Sequence, residues 1–184
     1  MRSELQEKVA MYHAVNGITL KGEIVVFGST FMANFPFYEL SKKYVMANAV
    51  YNRSIEGLTL PEAETVLNEC VLELRPSKIF LSLGESEPCT PSALAVYARI
   101  VKKIQAKLPF SHVFILSLPS QNDGSKCEFN EKLKHLAEQH GAKYLELSFN
   151  APSQQTLYEK IFKRLHCFFR GARLTFAEAF AIAD

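Results

Sequence analysis

Apolar positions along the chain keep two different rhythms. Five short runs rich in β-branched and aromatic residues, at 23–27, 44–50, 78–83, 112–118 and 143–147, have the length and composition of buried strands. Between them the apolar spacing becomes helical. Leu94, Tyr97, Val101, Ile104 and Leu108 follow one another at intervals of 3, 4, 3 and 4 residues and so share one helix face. Thr90 and Pro91 open that helix as cap and first-turn proline, and Pro109 stops it. A second stripe, Leu60, Ala63, Leu67, Cys70, Val71 and Leu74, predicts one helix ending at Arg75-Pro76. Phe129, Leu133, Leu136 and His140 make a third, with Ser125 and Glu128 as its capping box and Gly141 at its close.

Strand and helix alternating in this way predict right-handed βαβ units, a parallel sheet, and helices on both of its faces. The expected fold is therefore a three-layer α/β/α domain, flavodoxin-like, with five parallel strands in the order 2-1-3-4-5. Residues 1–22 are expected to form a helical extension outside the sheet, and 23–184 a single domain. Residues 153–184 are expected to supply two C-terminal helices, the last opened by Thr175 and Glu178.

Composition removes several chemistries. Lys plus Arg number 21 against 19 for Asp plus Glu, so the net charge of +2 carries no basic excess for a nucleic-acid partner. Lys160, Lys163 and Arg164 read as a solvated helix face. No apolar run approaches the roughly 18 residues of a membrane span, and charges interrupt the first eight residues where a signal peptide would be apolar. The expectation is a cytoplasmic protein without a membrane partner. The only aspartates are Asp123, in a Gln-Asn-Asp-Gly turn, and Asp184, so a calcium loop, a Walker-type magnesium site or an Asp-oriented histidine lacks its usual carboxylate. Cys70, Cys89, Cys127 and Cys167 lie far apart with no CxxC pair, which points to reduced, buried thiols rather than zinc or disulfides. No metal and no cofactor is expected.

Ligands of an open parallel sheet bind beyond the carboxyl ends of the strands, beside the point where strand order reverses. The turns at that edge are unusual. The first strand leads into Gly28-Ser29-Thr30, the second into Asn52-Arg53-Ser54-Ile55-Glu56-Gly57, and the third into Gly84-Glu85-Ser86-Glu87-Pro88. Glycines and hydroxyl, amide and carboxylate side chains could converge there on a small oxygen-rich ligand.

The runs from Ile24 to Thr30, Val50 to Gly57 and Ile79 to Glu87 resemble, in order and spacing, the first three sequence blocks of the SGNH, or GDSL-type, hydrolases. The resemblance extends from Lys21 onward, through 113–119 as a fourth strand and Phe129-Asn130 in the following helix. It implies a fold shared with esterases, lipases, acetylhydrolases and thioesterases. In these enzymes a serine nucleophile works with a Gly and Asn oxyanion hole and a His oriented by Asp. Carried over residue by residue, the nucleophile position is Thr30, preceded by Ser29. The oxyanion Gly is Gly57, while Ser86 stands for the oxyanion Asn. Arg170-Gly-Ala-Arg173 falls on the final DxxH block, so Arg170 takes the acid position and Arg173 that of the base.

That set is chemically deficient. A threonine hydroxyl needs a base to take its proton, an effect worth about 10²–10⁴-fold, and a guanidinium has no lone pair with which to accept it. Ser29 could replace Thr30 only if the turn rotated by one residue, and His166 could serve only if the last block were shifted. The expected function is therefore a non-catalytic binding or accessory protein for a small molecule, anionic or bearing an acyl or ester group. The competing class is a divergent esterase or acylhydrolase using Thr30 or Ser29. Arg170 and Arg173 have two readings: ion pairs with Glu85 and Glu87, or an anion site completed by turn amides at Gly28 and Gly57.

Overall fold

The structure, a computed structural model, describes residues 3–46, 48–119 and 124–169. Its centre is a five-stranded parallel sheet in the order β2-β1-β3-β4-β5, as the sequence predicts. The strands are β1 (Ile24–Gly28), β2 (Val50–Asn52), β3 (Lys78–Ser82), β4 (His112–Leu116) and β5 (Lys143–Leu145). Alternate side chains along each strand serve opposite faces, which is why nearly every strand position is apolar. Val25, Phe27, Ile79, Leu81, Val113 and Ile115 face one core, while Ile24, Val26, Phe80, Phe114 and Leu116 face the other.

The first core is covered by α1 (Ser3–Asn16), α4 (Leu60–Thr65), α5 (Leu67–Cys70), α6 (Pro91–Lys107) and α7 (Gly124–Gln139). The second is covered by α2 (Thr30–Ala33), α3 (Phe37–Ser41) and α8 (Gln154–Phe169). α6 begins as expected, with Ala93 N donating to the Thr90 hydroxyl at 3.2 Å and Pro91 in the first turn. α1 seats Leu5 and Tyr12 in the first core, and its end is tied down where Asn16 Nδ2 donates to Glu69 O and Glu73 Oε2.

Four expectations need correction. β2 occupies only Val50–Asn52, because β1 begins to pair at Ile24 opposite Val50 and leaves residues 44–46 no partner strand. Tyr44 and Met46 instead lie against the second core and Val45 is exposed. The expected helix over 60–74 is broken into α4, α5 and a 3-10 turn at Leu72–Leu74. The breaks fall at Val66 and Val71, buried β-branched residues whose backbones leave helical geometry. α7 already includes Gly124, so Ser125 sits inside the helix rather than capping it. Of the four free cysteines only Cys70 is fully buried, and Cys127 and Cys167 are exposed. Arg170, Arg173, Thr175, Glu178, Asp123 and Asp184 lie outside the described residues.

Candidate functional site

The turns after β1, β2 and β3 meet at the carboxyl edge. Gly28 ends β1 in register with Ser82, the last residue of β3, and its carbonyl accepts from Ile55 N at 3.0 Å. The chain then turns into α2. Ser29 is wholly buried and its hydroxyl has no hydrogen-bond partner among the described residues, whereas Thr30 is partly open to solvent. Thr30 Oγ1 accepts the N–H of Gly57 at 2.9 Å, a link between the first and second turns. Gly57 holds a left-handed φ of 63°, which lets its amide turn toward the threonine. Asn52 is a staple in the same place. Its Nδ2 donates to Met32 O at 2.7 Å while its Oδ1 accepts from Ser54 N at 3.1 Å.

The third turn contributes its carboxylates to backbone amides. Both Glu85 oxygens accept from Phe31 N, at 3.0 and 3.1 Å, and Glu87 Oε1 accepts from Leu60 N at the start of α4. Lys126 reaches across from α7 and donates to the carbonyls of Gly84, Glu85 and Glu87. Ser86 is exposed. Beyond β4, Asn130 closes the edge: its Oδ1 accepts from Leu118 N at 2.7 Å and its Nδ2 donates to Leu118 O at 3.1 Å. The amides of Gly57, Phe31, Leu60 and Leu118 thus face side chains of this same chain.

Burial pushes the Glu85 carboxyl above its ordinary value of 4.5, against the pull of the Phe31 N–H and the Lys126 ammonium. The folded chain therefore holds the Glu85 proton more tightly than the unfolded chain does. The contribution of this group to stability improves as pH falls from neutral through the raised value, and levels off below about 4.5. In urea melts, the wild type should gain on Glu85→Gln as the pH is lowered from 7 to 4. A wild-type advantage that shrinks on acidification would mean that the Phe31 contact outweighs burial.

No family model and no curated protein matches the sequence. Solved structures do match. A candidate platelet activating factor from Streptococcus pneumonia superposes with a TM-score of 0.75 at 18% identity, over 90% of this chain and 92% of that one. A GDSL-like lipase from Bacteroides thetaiotaomicron gives 0.65 at 12% identity, over 94% and 98%. A psychrotrophic esterase from Pseudoalteromonas gives 0.63 at 16%, over 80% and 98%. The fold is that of the GDSL-like hydrolases.

On this GDSL-like fold the three turns bring Thr30, Gly57, Asn52 and Glu85 together, and they leave Ser29 inaccessible beneath. None of the chain's five histidines joins them. His13, on α1, has its Nδ1 3.0 Å from Glu73 in the 3-10 turn, and His112 starts β4 at the amino edge. His135 pairs with Glu138, and His140 follows the end of α7. His166 Nε2 lies 3.4 Å from Val45 O, with its ring against Tyr44. α8 runs back toward the amino edge, where Lys78 Nζ, at the start of β3, donates to Phe168 O at 2.7 Å. The described chain thus ends at the edge opposite Thr30. Glu85 and Asn130 are candidate-site residues whose partners the sequence reading did not identify. Their contacts span 54 and 12 residues, distances at which periodicity carries no signal.

Proposed function

We propose that this chain is a non-catalytic binding or accessory protein on a GDSL-like hydrolase fold, acting on a small molecule in the cytoplasm. The observation that carries the reading is Thr30. Its hydroxyl oxygen is engaged by the Gly57 amide, and each of the five histidines has a place elsewhere. A secondary hydroxyl without a proton acceptor gains none of the roughly 10²–10⁴-fold that a positioned base supplies. The turn amides satisfied from within support the same reading. Among the described residues no helix is long and apolar enough to cross a membrane.

The experiment is direct. Purified protein should hydrolyse p-nitrophenyl acetate and butyrate at the rate of its Thr30→Ala variant. Turnover at least about 100-fold above that variant would instead establish a divergent esterase with Thr30 as nucleophile.

A further inference from the structure

A cavity of about 490 Å³ lies on the side of the second core, between α3 and the border strand β2. Its size falls in the range of small-molecule sites. Phe35, Phe37, Tyr38 and Phe162 give it an aromatic wall, with Met46 beside them. The rings of Phe35 and Phe37 lie 4.7 Å apart at 53°, and Phe162 stands 6.3 Å from Phe37 at 61°, so the buried part of the wall is held by ring-to-ring packing. Tyr38 is 71% exposed, and the Lys42 ammonium lies 4.8 Å from its ring centroid.

The polar groups of the lining separate into two sets. Ser41 donates its hydroxyl to Tyr38 O at 2.8 Å, and Asn52 is held by Met32 O and Ser54 N. Asn48 is different: it is 7% exposed, and its side-chain amide has no hydrogen-bond partner among the described residues. A buried amide left in that state costs free energy that a ligand would recover. Charge stays at the margins. Glu39, the one charged residue among the described lining residues, is exposed. Glu23 comes close behind the wall, and its Oε2 accepts from Ala49 N at 2.9 Å.

These features select the occupant. An aromatic wall favours a flat π-system. A primary amide is a donor and an acceptor side by side, and it is answered by an acceptor and a donor side by side on one edge of a ring. The N7 and 6-amino group of adenine present that pair, and asparagine reads it with two hydrogen bonds. An ionised group in the interior would be desolvated without a partner, and adenine is uncharged at neutral pH. The geometry points to a binding site for the 6-aminopurine ring, its edge on Asn48 and its body against the aromatic wall. The site goes beyond the reading of the Thr30 turn, because Asn52, which joins the two, is committed to backbone groups of this chain. Ester turnover tests one reading and base binding the other, so either can fail without the other.

Calorimetric titration of the full chain with adenine should give one site that saturates within about 5 mM, the weakest affinity a ring of this size should show in a site that fits it. Hypoxanthine, with an oxygen in place of the amine, leaves the Asn48 carbonyl facing another acceptor and should bind at least about tenfold more weakly. Adenosine and AMP should compete with adenine and ribose 5-phosphate should not, which separates recognition of the base from recognition of the sugar phosphate. Tyr38→Ala, at an exposed position, should weaken adenine at least about fivefold. Asn48→Leu should abolish the preference for adenine over hypoxanthine. Because the leucine variant could misfold, the side-chain amide protons of Asn48 are also followed by NMR in the wild type, where adenine should shift them. The assignment is overturned by adenine that does not saturate, by hypoxanthine bound as tightly as adenine, by ribose 5-phosphate that displaces adenine, by undiminished binding in Tyr38→Ala, or by Asn48 amide protons that adenine leaves in place.

Discussion

Gly28→Ala is expected to lower the melting temperature by about 6–12 °C, corresponding to about 3 kcal/mol in a domain of this size. Gly28 lies where β1 delivers the chain to Thr30, in register with Ser82 of β3. A Cβ there would stand 2.7 Å from Ser82 O, 3.0 Å from Ser82 Cβ and 3.1 Å from Met32 Cβ. The nearest of these is backbone in the middle of the sheet, so relief requires β1 and β3 to separate or α2 to lift. Cores at crystal-like density give little to such a demand. Gly17→Ala provides the contrast, since nothing lies within 4 Å of its Cβ and it should melt close to the wild type. Calorimetric scans of the two variants side by side would decide the matter. Equal melting temperatures would show that the sheet yields at Gly28.

The second large effect is expected at Asn130. This residue is 6% exposed and satisfies both the N–H and the C=O of Leu118, which is itself fully buried. Asn130→Ala removes both partners at once and leaves two orphaned backbone groups, at about 1–3 kcal/mol each before any water enters. A total loss of about 2–4 kcal/mol is expected, with the Leu118 amide exchanging its hydrogen far faster than the amides of β3. Hydrogen-exchange mass spectrometry over residues 112–119 would read this. An unchanged exchange rate there would mean that the turn holds its shape without the asparagine.

The fold was legible because most strand runs are apolar on both faces. Val25 and Phe27 alternate with Ile24 and Val26, and Ile79 and Leu81 with Phe80, so each run could only be a strand buried between two helical layers. Where the pattern misled, pairing or backbone geometry overrode composition. Residues 44–46 have strand-like side chains, yet β1 is too short to receive them. The stripe from Leu60 to Leu74 keeps its helical spacing while Val66 and Val71 break the backbone beneath it. α2 and α3, of four and five residues, are too short to show a period, and Pro36 between them reads as loop. At the site, the glycines at 28, 57 and 84 announced three turns meeting at one edge. What the sequence could not show was the destination of the carboxylates. Glu85 reaches Phe31 and Glu87 reaches Leu60 through the fold, and no spacing rule links such pairs.

The two border strands, β2 and β5, span three residues each, against five in β1, β3 and β4. A sheet border is a row of unsatisfied donors and acceptors, and its capacity to recruit a foreign strand grows with its length and flatness. Three residues offer a stranger only one or two bonds, too few to repay the ordering of an incoming segment. The longer, largely apolar strands that would be hazardous in that position are confined to the middle, each already paired on both sides. The same brevity that makes β2 hard to find in the sequence thus guards the native chain against edge-to-edge aggregation.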